Sequence, residues 1–386
     1  MKGAIPNLQG SYFKQLDALR ALAVSMVIFS HWPGYHQEMW SDDLFWFNGE
    51  IGVKLFFVIS GFLITGILLE GRIKADQNDL GKVSLLKTFY IRRFLRIFPL
   101  YYATLFVAFV LGHPDVLASW KWHVTYLSNF YYAMRGEYLG EVSHFWSLAV
   151  EEQFYFVWPL IILFLPKKWL LSFIACSICI APLYRYVSMF IFGQNDVTVT
   201  VVPISSMDCL SAGALLALLG SRYTSDAVAK RSHDLIRKVG LLSMIGFFAL
   251  NSLISMPDEY QWYGIFISRL LLVPCLLALV TLFMEGFSGR TGRVLESPAL
   301  AYFGKISYGI YIFHFFVPGL AYWLCTKIRL DLSPQHMLGL NLSILILISS
   351  LSWYLFEKPL NQLKRYFPYL NSRPLKVKLK SQAVSG

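Results

Sequence analysis

One apolar segment near the N-terminus carries two ionisable side chains on the same helix face. In LDALRALAVSMVIFSHW, residues 16–32, Arg20 lies near the start and His31 near the end. Eleven residues of α-helix make about three turns and rise about 16 Å, so both side chains face one way at different depths. An ionisable side chain inside a membrane span is costly, so it normally faces a partner or a watery cavity. The alternative is that Arg20 reaches toward lipid headgroups and His31 caps the helix at the interface.

A second apolar segment, FWSLAVEEQFYFVWP, carries a polar stripe. Ser147, Glu151 and Tyr155 are spaced at i, i+4 and i+8, which places them on one helix face, and Glu152 follows Glu151 directly. Two adjacent acids in an apolar environment need a cation or a proton. The stripe therefore supplies candidate acid–base and supporting groups, although packing alone could explain the tyrosine.

A third polar stripe lies in ISYGIYIFHF, where Ser307, Tyr311 and His314 fall at i, i+4 and i+7. His314 is a second candidate for proton handling, and the alternative is a hydrogen-bonded core histidine.

In FYIRRFLRIFPLYY, Arg93 and Arg96 lie one turn apart. This spacing suits the phosphates of a nucleotide-bearing donor, although such arginines also act as ordinary anchors at the cytoplasmic face.

Three more charged residues fall inside apolar segments: Arg185, Asp208 and Arg269. Charges of both signs are expensive in lipid, so their accumulation in several helices indicates a shared polar cavity. The alternative is that Asp208 forms a structural ion pair with Arg185 or Arg269. Both interpretations remain open from the sequence.

The composition predicts an all-α polytopic membrane protein. Of the 386 residues, 56% are hydrophobic, 17% aromatic and only 15% charged, which a soluble domain could not accommodate. The net charge of +11 follows from basic loops on one side of a membrane, so we expect membrane lipids and not nucleic acid as partners. The CxxC of Cys176 and Cys179 lies in an apolar segment, and we interpret both as buried small residues, with no metal site.

About ten segments are long enough to cross a bilayer. They lie near residues 16–32, 52–69, 94–111, 145–165, 169–191, 204–220, 240–256, 263–284, 302–325 and 337–356. Lysine and arginine concentrate in the loops 70–93 and 221–238, at 167–168, at 290–293 and after 358. Acidic residues occupy the alternate loops, at Glu38, Asp42, Asp43, Glu50, Asp258 and Glu259. The distribution predicts cytoplasmic N- and C-termini and a multi-pass protein of the cytoplasmic (inner) membrane.

Two regions differ from this pattern. Residues 120–134, WKWHVTYLSNFYYAM, are aromatic but short and interrupted by polar groups, which predicts an interfacial or re-entrant segment on the outer side. Residues 367–386 form a basic tail, which we predict to be cytoplasmic and membrane-facing. The predicted division is a transmembrane domain at 1–366 and this tail.

These motifs together resemble the membrane-bound acyltransferase-3 family, whose members O-acylate bacterial surface glycans and some small molecules. The resemblance covers almost the whole chain and rests on six motifs in family order: LDALRALAVSMVIFSH, GVKLFFVISGFLIT, YIRRFLRIFPLYY, FWSLAVEEQFYFVWPL, SYGIYIFHF and FEKPL. The pair Arg20 and His31 matches the family's hallmark, and Arg93 with Arg96 is similar to its second arginine motif. The family's ten-helix topology agrees with the span count.

The resemblance implies acyl transfer from cytoplasmic acyl-CoA, acetyl-CoA most often, to a hydroxyl on the far side of the membrane. His31 would be a general base or a transient acyl carrier, and Arg93 with Arg96 would hold the donor's phosphates. Arg20 would orient the donor or pair with Asp17, and Glu151 or Glu152 would hold the His31 tautomer. The acceptor would be a surface glycan, a glycolipid or a small natural product.

The chain departs from the family pattern in two places. Relatives often carry an arginine two positions before Asp208, where this chain has Ser206, so Arg185 or Arg269 would have to replace it. Many glycan-acylating relatives also carry a fused extracytoplasmic domain. We expect this chain to complete the transfer alone or to pass the acyl group to another protein. The rival function is a transporter of a lipid-linked sugar, which needs neither an acyl donor nor a general base.

Overall fold

The computed structural model describes residues 13–32, 49–78, 81–221, 223–253 and 261–369. Within these ranges the regular structure is entirely helical, which confirms the all-α prediction. Several predicted features lie outside the described residues: the acidic positions Glu38, Asp42, Asp43, Asp258 and Glu259, and the tail from residue 370 onward.

The chain folds into long helices joined by short ones. The helices are α1 (Lys14–His31), α2 (Gly49–Asn78), α3 (Lys82–Val110), α4 (Pro114–Val124), α5 (Ser128–Arg135), α6 (Phe145–Phe164), α7 (Lys167–Tyr186), α8 (Asp196–Thr200), α9 (Met207–Leu219), α10 (Asp226–Leu253), α11 (Gln261–Glu285), α12 (Gly289–Leu295), α13 (Pro298–Phe313), α14 (Phe316–Ile328), α15 (Pro334–Ser352) and α16 (Lys358–Gln362).

Six of the described helices are long and apolar enough to cross a membrane. They are α2, α3, α6, α7 with its continuation to Ile191, α11, and α15 with its continuation to Tyr366. Helices α13 and α14 qualify only as a pair, and they bend by 73° at the break between them. Length and composition thus give six or seven spans where the sequence predicted about ten. Every predicted span contains a helix, but α1 has three charged residues among its first seven (Lys14, Asp17 and Arg20), and α9 has only 13 residues.

Small residues let the helices that position the site approach closely. A methyl group on Gly213 of α9 would overlap the carbonyl oxygen of Val58 in α2, and one on Gly304 of α13 would overlap the carbonyl oxygen of Asp17 in α1. Close backbone contact at small residues is typical of helix pairs in membranes. Gly52 of α2 is similarly close to the carbonyl oxygen of Ala23 in α1, so α1 is held against both α2 and α13.

The segment predicted to be interfacial or re-entrant forms a helical hairpin of α4 and α5. Its two helices have 11 and 8 residues, too few to span a bilayer. At its tip Tyr126 adopts a left-handed φ of 54°, and its carbonyl accepts a hydrogen bond of 2.7 Å from Gln153 Nε2. The Tyr126 ring stacks on Tyr101 at 4.4 Å between centroids. The tip thus packs against the middle of α3 and α6.

Candidate active site

Helices α1, α2, α3, α6 and α13 enclose a cavity of about 100 Å³, which we name the arginine cavity. Its wall contains most of the polar residues that the sequence singled out on four separate helices. These are Arg20, Arg93, Arg96, Ser147, Glu151, Tyr155, Ser307 and Tyr311. The helical spacing of each motif therefore places its polar face toward one shared space, whereas the intramembrane charges Arg185, Asp208 and Arg269 do not line it.

The arginine cavity carries more positive than negative charge. Arg20 forms an ion pair of 3.4 Å with Asp17, which is one of the two roles expected for it; the other was to orient the donor. Neither Arg93 nor Arg96 forms a hydrogen bond or an ion pair with any residue that the structure describes. The Arg93 guanidinium lies over the rings of Phe89 and Tyr155. Glu151 lines the same cavity and interacts electrostatically with both arginines, but it forms no direct ion pair with either. Guanidinium groups that face a cavity without a direct ion pair are suited to an anionic ligand such as a phosphate.

The two adjacent glutamates face different spaces. Glu151 lines the arginine cavity, where Oε1 accepts a hydrogen bond of 2.7 Å from Ser60 Oγ, and Ser60 in turn accepts one of 2.9 Å from the Tyr155 hydroxyl. Glu152 lines a second cavity of about 510 Å³ beside Tyr126. Its Oε1 is buried and has no hydrogen-bond partner among the described residues. Of the two, Glu151 is the one placed to act on a ligand between the arginines.

Three histidines come together beyond the end of the arginine cavity, and we name His31, His144 and His314 the histidine cluster. His31 Nδ1 lies 3.2 Å from His314 Nε2, and the His144 and His314 ring centroids are 4.7 Å apart. The expected contact between His31 and Glu151 or Glu152 is not formed in the described part of the chain. His314 takes that place, because the bend after α13 brings it against the end of α1.

A pair of hydroxyl groups stands between the arginine cavity and the histidine cluster. Tyr311 donates a hydrogen bond of 3.0 Å to the carbonyl oxygen of His144, and its hydroxyl also bonds to Ser147 Oγ. Ser147 contacts the same carbonyl at 3.1 Å. Both residues line the cavity, whereas His31 does not. Sequence reasoning did not select His144 as a site residue, although its position three residues before Ser147 places it next to the polar stripe of α6.

The remaining predicted site residues form ion pairs away from the arginine cavity. Arg185 is 1% exposed and donates to Asp208 at 2.5 Å and to the Ser205 carbonyl at 2.6 Å. Arg269 contacts Glu50 at 2.7 Å and Asp196 at 2.5 Å. Of the two partners considered for Asp208, the structure selects Arg185. These contacts favour the alternative that Arg185, Asp208 and Arg269 form structural ion pairs and do not act on a ligand.

Metal ligation and cysteine chemistry have no evident place in this site. No group of three or more His, Cys, Asp or Glu side chains in the described ranges could hold a metal ion. Cys176 and Cys179 lie on the exposed face of α7, so their interpretation as buried residues was wrong. The CxxC spacing reflects two neighbouring positions on an outward face of that helix.

Comparison with known proteins identifies the family. A family model described as an acyltransferase domain matches residues 13–358. The chain belongs to the membrane-bound acyltransferase-3 family. The matched range includes Arg20, His31, Arg93 and Arg96. No solved structure gives a significant match to the chain.

Curated relatives of the chain are named as O-acetyltransferases. A protein of Staphylococcus aureus (strain COL), named provisionally as an O-acetyltransferase, is 29% identical over 97% of this chain and 61% of its own length. The peptidoglycan O-acetyltransferase OatA of Listeria monocytogenes is 28% identical over 91% of this chain and 56% of its own length. The chain therefore spans about three fifths of the length of these relatives.

Proposed function

We propose that this chain is an integral membrane O-acyltransferase. It would move an acyl group, acetyl in the first instance, from cytoplasmic acyl-CoA to a hydroxyl of an extracytoplasmic glycan or glycolipid. The observation that carries the proposal is the arginine cavity, which lies next to the histidine cluster. In this cavity three arginines outnumber the one glutamate, and Arg93 and Arg96 form no direct ion pair with a described residue. The names of the curated relatives support acetyl as the group and a cell-wall glycan as the acceptor.

In the proposed topology the protein lies in the cytoplasmic (inner) membrane, with ten transmembrane helices and both termini in the cytoplasm. Helix α1 counts as a span because two of its charged residues face protein and not lipid: Asp17 is buried and Arg20 lines the cavity, while the exposed Lys14 is the first residue of the helix. The basic loops place Arg93 and Arg96 toward the cytoplasm and His31 toward the outside. This orientation supplies the donor from one side and the acceptor from the other.

In this proposal the arginines bind and His31 performs the proton chemistry. Arg93 and Arg96 hold the phosphates of the donor, and Arg20, held by Asp17, completes the positive surface. His31 removes the proton from the acceptor hydroxyl as a general base or carries the acyl group briefly. Glu151, with Ser60 and Tyr155, holds the donor arm between the arginines and the histidine cluster.

The acyl group must pass the hydroxyl pair of Ser147 and Tyr311 to reach His31. These hydroxyls close the end of the cavity in the structure through bonds to the His144 carbonyl. A rotation of the Tyr311 side chain would open that end. The transporter alternative lacks comparable support, because the relatives that match nearly the whole chain are named as acetyltransferases.

The test expresses the chain and its His31→Ala variant in a bacterium that lacks the gene. Ester-linked acyl groups on cell-wall and surface glycans are measured by mass spectrometry at matched membrane levels of protein. We expect a mass increment of one acyl group with the native chain and its loss with His31→Ala, because a general base contributes about 10²–10⁴-fold. His233→Ala, at a buried histidine on α10, is the control and should retain activity. Normal acylation by His31→Ala would refute the assigned role.

A further inference from the structure

We propose that His314 is a positioning residue that holds His31 in the tautomer protonated at Nδ1. This leaves the lone pair of His31 Nε2 as the only basic nitrogen of the ring. The inference rests on the proposed function for the reaction that this nitrogen serves. The tautomer itself follows from the hydrogen bonds and can be measured without any reaction.

The assignment begins at a backbone carbonyl oxygen, which can only accept a hydrogen bond. His314 Nδ1 lies 2.7 Å from the carbonyl oxygen of Tyr311, so this nitrogen must carry the proton. In a neutral imidazole only one nitrogen is protonated, and His314 Nε2 therefore presents a lone pair. The backbone at the end of α13 thus decides the protonation of both nitrogens of His314.

The same logic passes to His31. Its Nδ1 lies 3.2 Å from His314 Nε2, and since that nitrogen accepts, His31 Nδ1 must donate. His31 Nε2 is then unprotonated in the neutral ring. The hydrogen bond made by one imidazole nitrogen commonly determines which of the two is available for chemistry.

His314 is held rigidly enough to impose this choice. Its side chain is 0% exposed, and its backbone carbonyl accepts a hydrogen bond of 2.8 Å from the indole nitrogen of Trp32, the residue after His31. Its ring packs 4.7 Å from both Phe315 and His144, between centroids. Two hydrogen bonds therefore fasten the end of α1 to the bend between α13 and α14.

The arrangement also stabilises the product of proton transfer. When His31 Nε2 gains a proton from the acceptor hydroxyl, Nδ1–H becomes a charged donor to His314 Nε2, and charge-assisted hydrogen bonds are about twice as strong as neutral ones. No proton needs to move to His314, which keeps its own proton on Nδ1, and the proton gained by His31 Nε2 would pass to the departing thiolate of the donor. Among the described residues, the other titratable side chains facing this pair are His144 and Tyr311.

The test measures tautomer and activity separately on protein in lipid nanodiscs. Nitrogen-15 spectra of histidine-labelled protein assign the His31 signals by their loss in His31→Ala. We expect His31 to be protonated at Nδ1 in the native protein and in His314→Gln, whose amide oxygen can accept the same hydrogen bond. His314→Phe keeps the ring but removes the acceptor, and it should give a mixture of tautomers.

Acyl transfer is then compared across the same variants. We expect His314→Phe to lower kcat by about 10–100-fold with little change in the KM for the donor, and His314→Gln to recover most of the rate. His233→Gln makes the same change at a buried histidine that bonds Glu285, and it should alter neither readout. A native His31 protonated at Nε2, or equal rates for His314→Phe and His314→Gln, would overturn the inference. Absence of transfer in the native protein would overturn the proposed function while the spectra still decide the tautomer.

Discussion

Replacing Arg96 by glutamine separates the binding role of a cavity arginine from a structural role. Arg96 lines the arginine cavity near Arg20 and Arg93, and the described residues offer it no ion pair. A hydrogen bond to a charged group contributes about 1.5–3 kcal/mol, so loss of one phosphate contact should weaken donor binding about 10- to 150-fold. Because the substitution also removes one of three neighbouring positive charges, the unliganded protein should be no less stable.

Arg185→Gln is the matched comparison, since it makes the same change at an arginine with a partner. Arg185 is buried against Asp208, and removal of one member of a buried ion pair costs about 3–5 kcal/mol. We therefore expect Arg185→Gln to lower the melting temperature strongly, while Arg96→Gln leaves it unchanged or raises it. Coenzyme A binding is measured by calorimetry in nanodiscs, with salt titration to confirm the ionic contribution. Equal melting losses in the two variants, or unchanged coenzyme A affinity in Arg96→Gln, would refute this reasoning.

Three further predictions concern other parts of the molecule. Glu151→Gln should lower the rate of acyl transfer at least tenfold with little change in the melting temperature of the unliganded protein. Glu152→Gln should keep or raise the melting temperature, because Glu152 Oε1 is buried without a described partner. Rates and melting curves test both, and a larger rate loss in Glu152→Gln would contradict the assignment of Glu151 to the site. Burial lowers the pKa of His123 from 6.5 to about 4. The free energy of unfolding is therefore unaffected by this residue above about pH 6.5 and decreases as the pH is lowered, by about 2 kcal/mol at pH 5. His123→Gln should therefore show a shallower fall in melting temperature between about pH 7 and pH 5, and an unchanged slope would count against the assignment. Gly213→Ala should destabilise the protein by about 1–3 kcal/mol through overlap with the Val58 carbonyl, and a melting temperature equal to the native value would show that α2 and α9 can separate.

Helical periodicity predicted the faces of the site well. The eleven-residue spacing of α1 and the four-residue steps of α6 placed Arg20, Ser147 and Glu151 on inward faces, and the structure brings them to one cavity. The same geometry separates Glu151 from Glu152, because successive residues differ by about 100° around a helix. The sequence alone did not reveal which of the two faces the arginines, since that depends on where α3 lies.

Contacts between distant segments could not be predicted from local patterns. His31 and His314 are separated by 283 positions, and their contact depends on the bend between α13 and α14. Neither hydropathy nor spacing specifies such a bend. The choice of Arg185 over Arg269 as the partner of Asp208 likewise depends on helix packing, with Arg269 taken instead by Glu50 and Asp196. Hydropathy placed a helix in every predicted span, whereas the span count is lower because α1, α9 and α10 are not among the described helices that qualify by length and composition.

The separation of the arginine cavity from the histidine cluster has a consequence for the proposed reaction. An acyl donor held near a base that is open to water would be hydrolysed, so transfer requires that the base meet the acyl group only when an acceptor is present. His31 is partly exposed, whereas the hydroxyl pair of Ser147 and Tyr311 closes the cavity on its own side. Tyr311 contributes to both regions, because its hydroxyl helps to close the cavity and its carbonyl oxygen accepts the proton of His314 Nδ1. Rotation of the Tyr311 side chain would therefore connect the two regions, while the backbone carbonyl of Tyr311 continues to hold the His314 ring, so the proposed base keeps its tautomer when the passage opens.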